Sequence, residues 1–293
     1  MQKTELRISE RKVEEFLDLH IKVLTGILQG KGFKQIREEY EGEFERLNYL
    51  EVATKYLSCL SFNEKGELKA AYPFSPKKTD YHISVDGIGS GYAMCAIDAL
   101  GAAYTFKAKT VIESADPATQ TPIKITIDPE NLETEPYSDI VVTAPKAIPQ
   151  KKEGETFDAS VDMCPQIGFF ESAETIPKEQ QELVAAISFD EALKHGRSNF
   201  DIQILRQGFK EAVLTLMTFY QKGSISEDEF IKTYLENTSN SILKSLQSEQ
   251  LKTIILQPLI AKKVFEEVSP PDAQERHLRL ADLGEKILKT FLD

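Results

Sequence analysis

Cysteine occurs at only three of the 293 positions, Cys59, Cys95 and Cys164, and two of the three stand where chemistry can be argued. Cys95 lies in Met94-Cys95-Ala96-Ile97-Asp98, just after the glycine-bearing stretch Gly87-x-Gly89-x-Gly91. In a helix, Cys95 and Asp98 share one face, because residues three apart are neighbours there. A thiol at the first turn of a helix gains thiolate character from exposed backbone N–H groups. A carboxylate one turn away opposes that ionisation, but it can take up and relay the thiol proton. Cys164 comes much later, in Asp162-Met163-Cys164-Pro165. Two thiolates brought together from separate elements suit a soft d¹⁰ ion such as Hg(II), Cu(I) or Zn(II). A closed zinc site needs four ligands. The four histidines (His20, His82, His195, His277) are scattered, and Cys59 sits in an apolar helical context that reads as core. A closed structural zinc site is therefore hard to assemble from this inventory, and Cys95, Asp98 and Cys164 are the residues left with a chemical context.

Other features with a chemical look have plainer explanations. The Gly87–Gly91 run lacks the Lys-Ser/Thr of a phosphate loop and the spacing of a dinucleotide fingerprint, so it reads as a turn before a helix. Met94 is expected to pack rather than ligate. Tyr81 and Tyr92 could line a pocket, with core or surface as the default. His82 and His195 read as surface or helix-end residues.

Three kinds of element must position the candidate residues. The spacing predicts helices over 8–29, capped by Ser9, then about 33–43 and 47–59. A hairpin follows, turning at Asn63-Glu64-Lys65-Gly66. Three helices and a hairpin outline a winged-helix-like unit, residues 1–79. In the middle section, 80–197, strands are expected over Tyr81–Val85, Ala108–Glu113, Ile123–Ile127, Asp139–Thr143 and Phe157–Val161. A helix is expected over Tyr92–Ala103, a turn at Asp116-Pro117 and a loop over Ala144–Gly154. These strands are too close together for helical crossovers, which predicts a mostly antiparallel sheet with flanking helices. From 198 to 293 the pattern reads as all-helical, with helices over 200–221, 225–247, 248–267 and 272–292. Ser224 and Glu227 offer a capping box for the second of these, and Pro270-Pro271 a break before the last. The fold class is thus α+β with a helical extension, expected to act as a lid, a four-helix unit or a surface for homo-oligomers.

Composition limits the functions. The net charge is −12, from 35 basic and 47 acidic residues, and no dense basic cluster interrupts it, which argues against nucleic acid and anionic lipid as partners. No apolar run is long enough to span a bilayer, so no membrane insertion is expected. The charged first residues lack the apolar core of a signal peptide, and three cysteines are too few for a disulfide framework. A cytoplasmic location is the expectation.

The residues also carry a resemblance. Tyr72-Pro73-Phe74-Ser75-Pro76, Tyr92-Ala93-Met94-Cys95-Ala96-Ile97-Asp98-Ala99-Leu100 and Val111-Ile112-Glu113-Ser114 occur in an order that resembles the alkylmercury (organomercurial) lyase family. So do Pro117-Ala118-Thr119 with Pro122-Ile123, then Cys164 with Phe169-Phe170, and Asp190-Glu191-Ala192 through His195-Gly196-Arg197. The likeness runs over about residues 10–200. It implies cleavage of R–Hg⁺ to RH and Hg(II), with Cys95 and Cys164 on mercury and Asp98 as the proton carrier. It implies no organic cofactor and no resident metal, mercury being bound only in transit. The implied partners are an organometal substrate, low-molecular-weight thiols that remove Hg(II), and a downstream metal reductase or transporter.

The chain departs from the family at Met94, where members often carry Trp, in lacking a further Cys near Asp116-Pro117, and in its C-terminal extension. Electron-rich thiolates do not by themselves select mercury over tin, lead or copper. Three other readings therefore stand beside the mercury lyase: a lyase for another organometal, a non-catalytic soft-metal binding or trafficking protein, and a winged-helix metal sensor. A carrier needs only the thiols. Asp98 favours the lyase.

Overall fold

The structure, a computed structural model, describes residues 6–131, 133–135, 140–148, 157–238, 243–244, 246–268 and 276–293. Its first helix, α1 (Glu10–Leu28), buries one continuous face: Val13, Phe16, Leu17, Val23, Leu24 and Ile27. Short helices α2 (Phe33–Glu39), α3 (Glu41–Arg46) and α4 (Tyr49–Glu51) follow, and α4 runs on as a π-helical turn, Val52–Tyr56. The chain then forms the expected hairpin of β1 (Leu60–Phe62) and β2 (Leu68–Ala71). Asn63 organises its turn, since its Oδ1 accepts from the backbone N–H groups of Lys65 and Glu67.

That hairpin is the edge of an eight-stranded antiparallel sheet in the order β1-β2-β3-β5-β4-β6-β7-β8. The other strands are β3 (Phe74–Ser75), β4 (His82–Val85), β5 (Gly89–Ala93), β6 (Thr110–Ala115), β7 (Pro122–Asp128) and β8 (Glu133–Glu135). The Gly87–Gly91 run belongs to the β4–β5 hairpin instead of a pre-helix turn. Gly89 is needed there because a Cβ would come within 2.7 Å of the Leu28 carbonyl oxygen at the end of α1. The helix expected over Tyr92–Ala103 starts later, as α5 (Ala96–Phe106), because Tyr92 and Ala93 are still paired in the sheet.

A second antiparallel sheet joins β9 (Val141–Pro145), β10 (Phe169–Phe170) and β11 (Val184–Ser188). Of the strand expected over Asp139–Thr143, position 139 lies outside the described residues, as do positions 149–154 of the expected loop. The strand expected over Phe157–Val161 is instead a helical turn, α6 (Ala159–Asp162), because the Asp158 carboxylate accepts from the Ser160 N–H and caps it. A second short helix, α7 (Lys178–Gln181), precedes β11.

Helix α8 (Phe189–Phe200) packs on α5 through glycines. A Cβ on Gly101 of α5 would lie 2.3 Å from a ring carbon of Phe200, and one on Gly196 would lie 3.0 Å from the Ile97 carbonyl oxygen. Gly101→Ala is therefore expected to push α8 off α5 and to lower stability by about 1–3 kcal/mol, as overpacking does. A thermal melt of the variant beside the parent checks this, and an unchanged midpoint would contradict the close fit.

The C-terminal part contains α9 (Ile202–Lys222) and α10 (Glu227–Asn237), then helical turns at Ser248–Leu251 and Gln257–Ala261, and a closing helix, Asp282–Thr290. It is mostly helical, but not all-helical as the sequence pattern predicts. β12 (Ile225–Ser226), β13 (Phe265–Glu267) and β14 (His277–Leu280) form a small antiparallel sheet in the order β12-β14-β13. Short apolar runs such as Val264-Phe265 fit strand and helix equally, and here pairing with β14 decides. The cap of α10 is Ser226, whose Oγ accepts from the Glu229 N–H, rather than Ser224. Residues 239–242, 245 and 269–275, with Pro270 and Pro271, lie outside the described residues.

One large buried core runs through most of this, and Phe170, Ile176 and Val184 form a small separate cluster at the second sheet. The Phe16 ring of α1 packs tilted against Tyr49 and Phe209 of α9 and edge-on against Phe291, so the N-terminal and C-terminal parts share one aromatic cluster. The Ser9 N–H also donates to the Phe291 carbonyl. Among the described residues no helix is long and apolar enough to cross a membrane.

Candidate metal and catalytic site

Cys95 follows the last residue of β5 by two positions and is the N-cap of α5, in extended backbone. Asp98 is then the third helical residue, where a side chain naturally reaches back toward the cap. The Cys95 thiol accordingly donates to Asp98 Oδ2 at 3.1 Å. Cys164 arrives from the other side, opening the one-turn 3₁₀ helix Cys164–Gln166, and its thiol lies 3.7 Å from the same Oδ2. One atom from each of the three residues falls within 4.8 Å of the others, and all three residues are buried. The three candidates named from sequence are thus brought together, across the gap between positions 98 and 164.

Backbone contacts fix this meeting. The Ala96 N–H donates to the Ile167 carbonyl, and the Tyr81 hydroxyl donates to that same carbonyl at 3.0 Å. Buried Thr143 on β9 clamps the Cys164 loop: its Oγ1 donates to the Gln166 carbonyl at 2.8 Å and accepts from the Gly168 N–H at 2.8 Å. Tyr72 adds a contact absent from the sequence-derived set, with its hydroxyl oxygen 3.8 Å from Cys164 Sγ. It belongs to the quoted Tyr72-Pro73 run, but only the pairing of β1 with β2, extended by the Tyr72 N–H to the Cys59 carbonyl, aims it at the thiol. Met94 packs against the core. Cys59 donates to the Ala53 carbonyl, His82 faces Glu113, His195 sits near Glu191 on α8, and none of these joins the cluster.

The electrostatics correct one expectation. The Asp98 backbone N–H does favour a Cys95 thiolate, as a helix N-terminus should. Burial outweighs it, however, and with the Cys164 contact and the Asp98 charge holds the Cys95 thiol well above its usual range. Cys95 is therefore a neutral hydrogen-bond donor at rest. Burial also pushes the Asp98 carboxyl from an ordinary 3.8 up to about 7, against the hydrogen bonds from Cys95 and Cys164 that favour its charged form. Such a carboxyl can both take and give a proton at neutral pH.

The folded protein holds the Asp98 proton more tightly than the unfolded chain. The stabilisation is complete below the unfolded value near 4 and is lost as pH rises through about 7. Asp98→Asn is expected to lack this fall, so denaturant melts should show its stability gaining on the parent from about pH 4 to about pH 8. A constant difference across that window would mean that Asp98 is not raised.

The two thiols and the carboxylate are close enough together that they could hold one soft ion. At a metal–sulfur distance of about 2.3 Å, as for zinc, two sulfurs facing each other across an ion stand roughly 4.6 Å apart. That fits the spacing here with little movement. A search of curated proteins returns no match. Among solved structures, the chain is similar to one described as the mercury-bound form of MerB2, at 17% identity over 66% of this chain and 97% of that one, with a TM-score of 0.43. A family model does match: residues 74–200, the stretch that holds Cys95, Asp98 and Cys164, match the MerB alkylmercury lyase family, the same family that the ordered motifs of the sequence resemble.

Proposed function

We propose that this protein is an organomercurial lyase that cleaves R–Hg⁺ by protonolysis. The observation that carries the proposal is the shared carboxylate: Asp98 Oδ2 lies within reach of both Cys95 and Cys164. A metal carrier has no use for a buried proton acceptor between its thiols. The family match over residues 74–200 supports mercury as the metal.

In this reading mercury enters as substrate. The Cys95 sulfur binds it as its proton passes to Asp98. The Cys164 sulfur joins, and the added electron density weakens the carbon–mercury bond. The bonding pair stays with carbon, which takes the proton from Asp98 and leaves as RH. The balance is R–Hg⁺ plus two thiols giving RH, a bis-thiolate Hg(II) and one proton. Two external thiols then exchange with Cys95 and Cys164 and carry Hg(II) away. No organic cofactor is needed. Low-molecular-weight thiols, and a reductase or transporter beyond them, are the proposed acceptors, and the cytoplasm is the proposed location. We place the chemistry in residues 80–197, with 1–79 and 198–293 as supporting domains.

The test is release of methane or benzene from methylmercury or phenylmercury with excess thiol. Catalytic release is expected. Stoichiometric Hg(II) binding with no hydrocarbon would instead support the trafficking alternative.

A further inference from the structure

A cavity with chemical character lies away from the cysteine cluster. It lies where the C-terminal part, outside the family-matched segment, meets residues just before β1. The half-enclosed space has a volume of about 230 Å³, with walls that include Leu57, Phe230, Ile255, Leu259 and Phe265. Two π-helical turns, Val52–Tyr56 and Lys252–Leu256, contribute to those walls. Such turns are rare and gather at functional sites.

A cation stands beside one wall, joined to it through Ser58. Ser58 lines the cavity and has a left-handed backbone, φ 54°, and its Oγ accepts from Lys262 Nζ at 2.7 Å. Lys262 is half-buried and feels Lys55 beside it. Among the described residues neither lysine has a carboxylate at ion-pair distance. The acid whose field reaches Lys262 is Asp158, and Lys69 already holds it at 2.9 Å. Lys69 and Lys262 thus share the field of one carboxylate, in a chain whose net charge is −12. Two like charges side by side repel, and an anion between them relieves the repulsion.

We propose that this cavity binds a small amphipathic anion: a carboxylate with a short apolar tail. The tail lies among Leu57, Phe230, Ile255 and Leu259, and the head is taken by Lys262, Lys55 and the Ser58 hydroxyl. The volume falls below the roughly 300–1,000 Å³ of pockets for drug-sized ligands, which limits the tail to a short one. The proposal is independent of the lyase reading.

Octanoate titrated calorimetrically into the full chain at low salt tests it. Saturable binding at one equivalent is expected, with octanol, the same tail without the charge, binding at least tenfold more weakly. Lys55→Gln combined with Lys262→Gln should weaken octanoate at least tenfold while melting with the parent. Ala212→Phe, which fills the cavity from α9, should remove binding. Absence of saturable binding at millimolar octanoate overturns the proposal, as does equal affinity for octanol or for the lysine double variant.

Discussion

Asp98→Asn is expected to lower hydrocarbon release by roughly 10²–10⁴, the usual contribution of a positioned general acid. The substitution keeps the shape of the side chain and its place at the first turn of α5, and it removes only the ability to take the thiol proton and return it to carbon. Hg(II) should still bind at one equivalent, because both sulfurs remain. That pairing of outcomes separates a catalytic loss from a collapsed site. The folded protein should also persist, since the buried carboxyl is a burden at neutral pH: desolvation raises it to about 7. Gas release from phenylmercury and methylmercury, measured beside Hg(II) titration of the same sample, decides the matter. Turnover at the parental rate would show that the proton reaches carbon by another route.

The second large effect concerns stability. Phe16→Ala should cost about 3–5 kcal/mol, the range for deleting a buried aromatic ring. Phe16 is 1% exposed, and its ring lies 5.1 Å from that of Tyr49, 4.6 Å from Phe209 and 5.8 Å from Phe291. These partners come from α4, α9 and the residue just after the closing helix, so no single segment can close the cavity left behind. The loss should therefore appear as one cooperative transition at lower denaturant, with the N-terminal and C-terminal parts unfolding together. A biphasic melt, or a loss below about 1 kcal/mol, would mean that the C-terminal part is only loosely attached.

The sequence by itself supplied the soft-metal inventory. Two thiols and a carboxylate are a soft-metal inventory wherever they lie, and the Cys95-x-x-Asp98 spacing brings one pair together by local geometry alone. The ordered motifs pointed to the family that residues 74–200 match. The α+β class and the antiparallel sheet were also legible, because closely spaced alternating runs leave no room for crossover helices.

Tertiary structure decided what depends on partners distant in sequence. Cys164 reaches Asp98 only because Thr143 and the Ile167 carbonyl tie its loop to β9 and α5. The resting state of Cys95 reversed for the same reason. Helix position argues for a thiolate, but burial beneath the assembled fold keeps the thiol neutral, and burial is a property of the whole. The small sheet at β12–β14 was hidden likewise, since strands of two to four residues carry too little periodicity to be read without their partners. Tyr72, in plain sight in the sequence, becomes a neighbour of Cys164 only through strand pairing at the edge of the sheet.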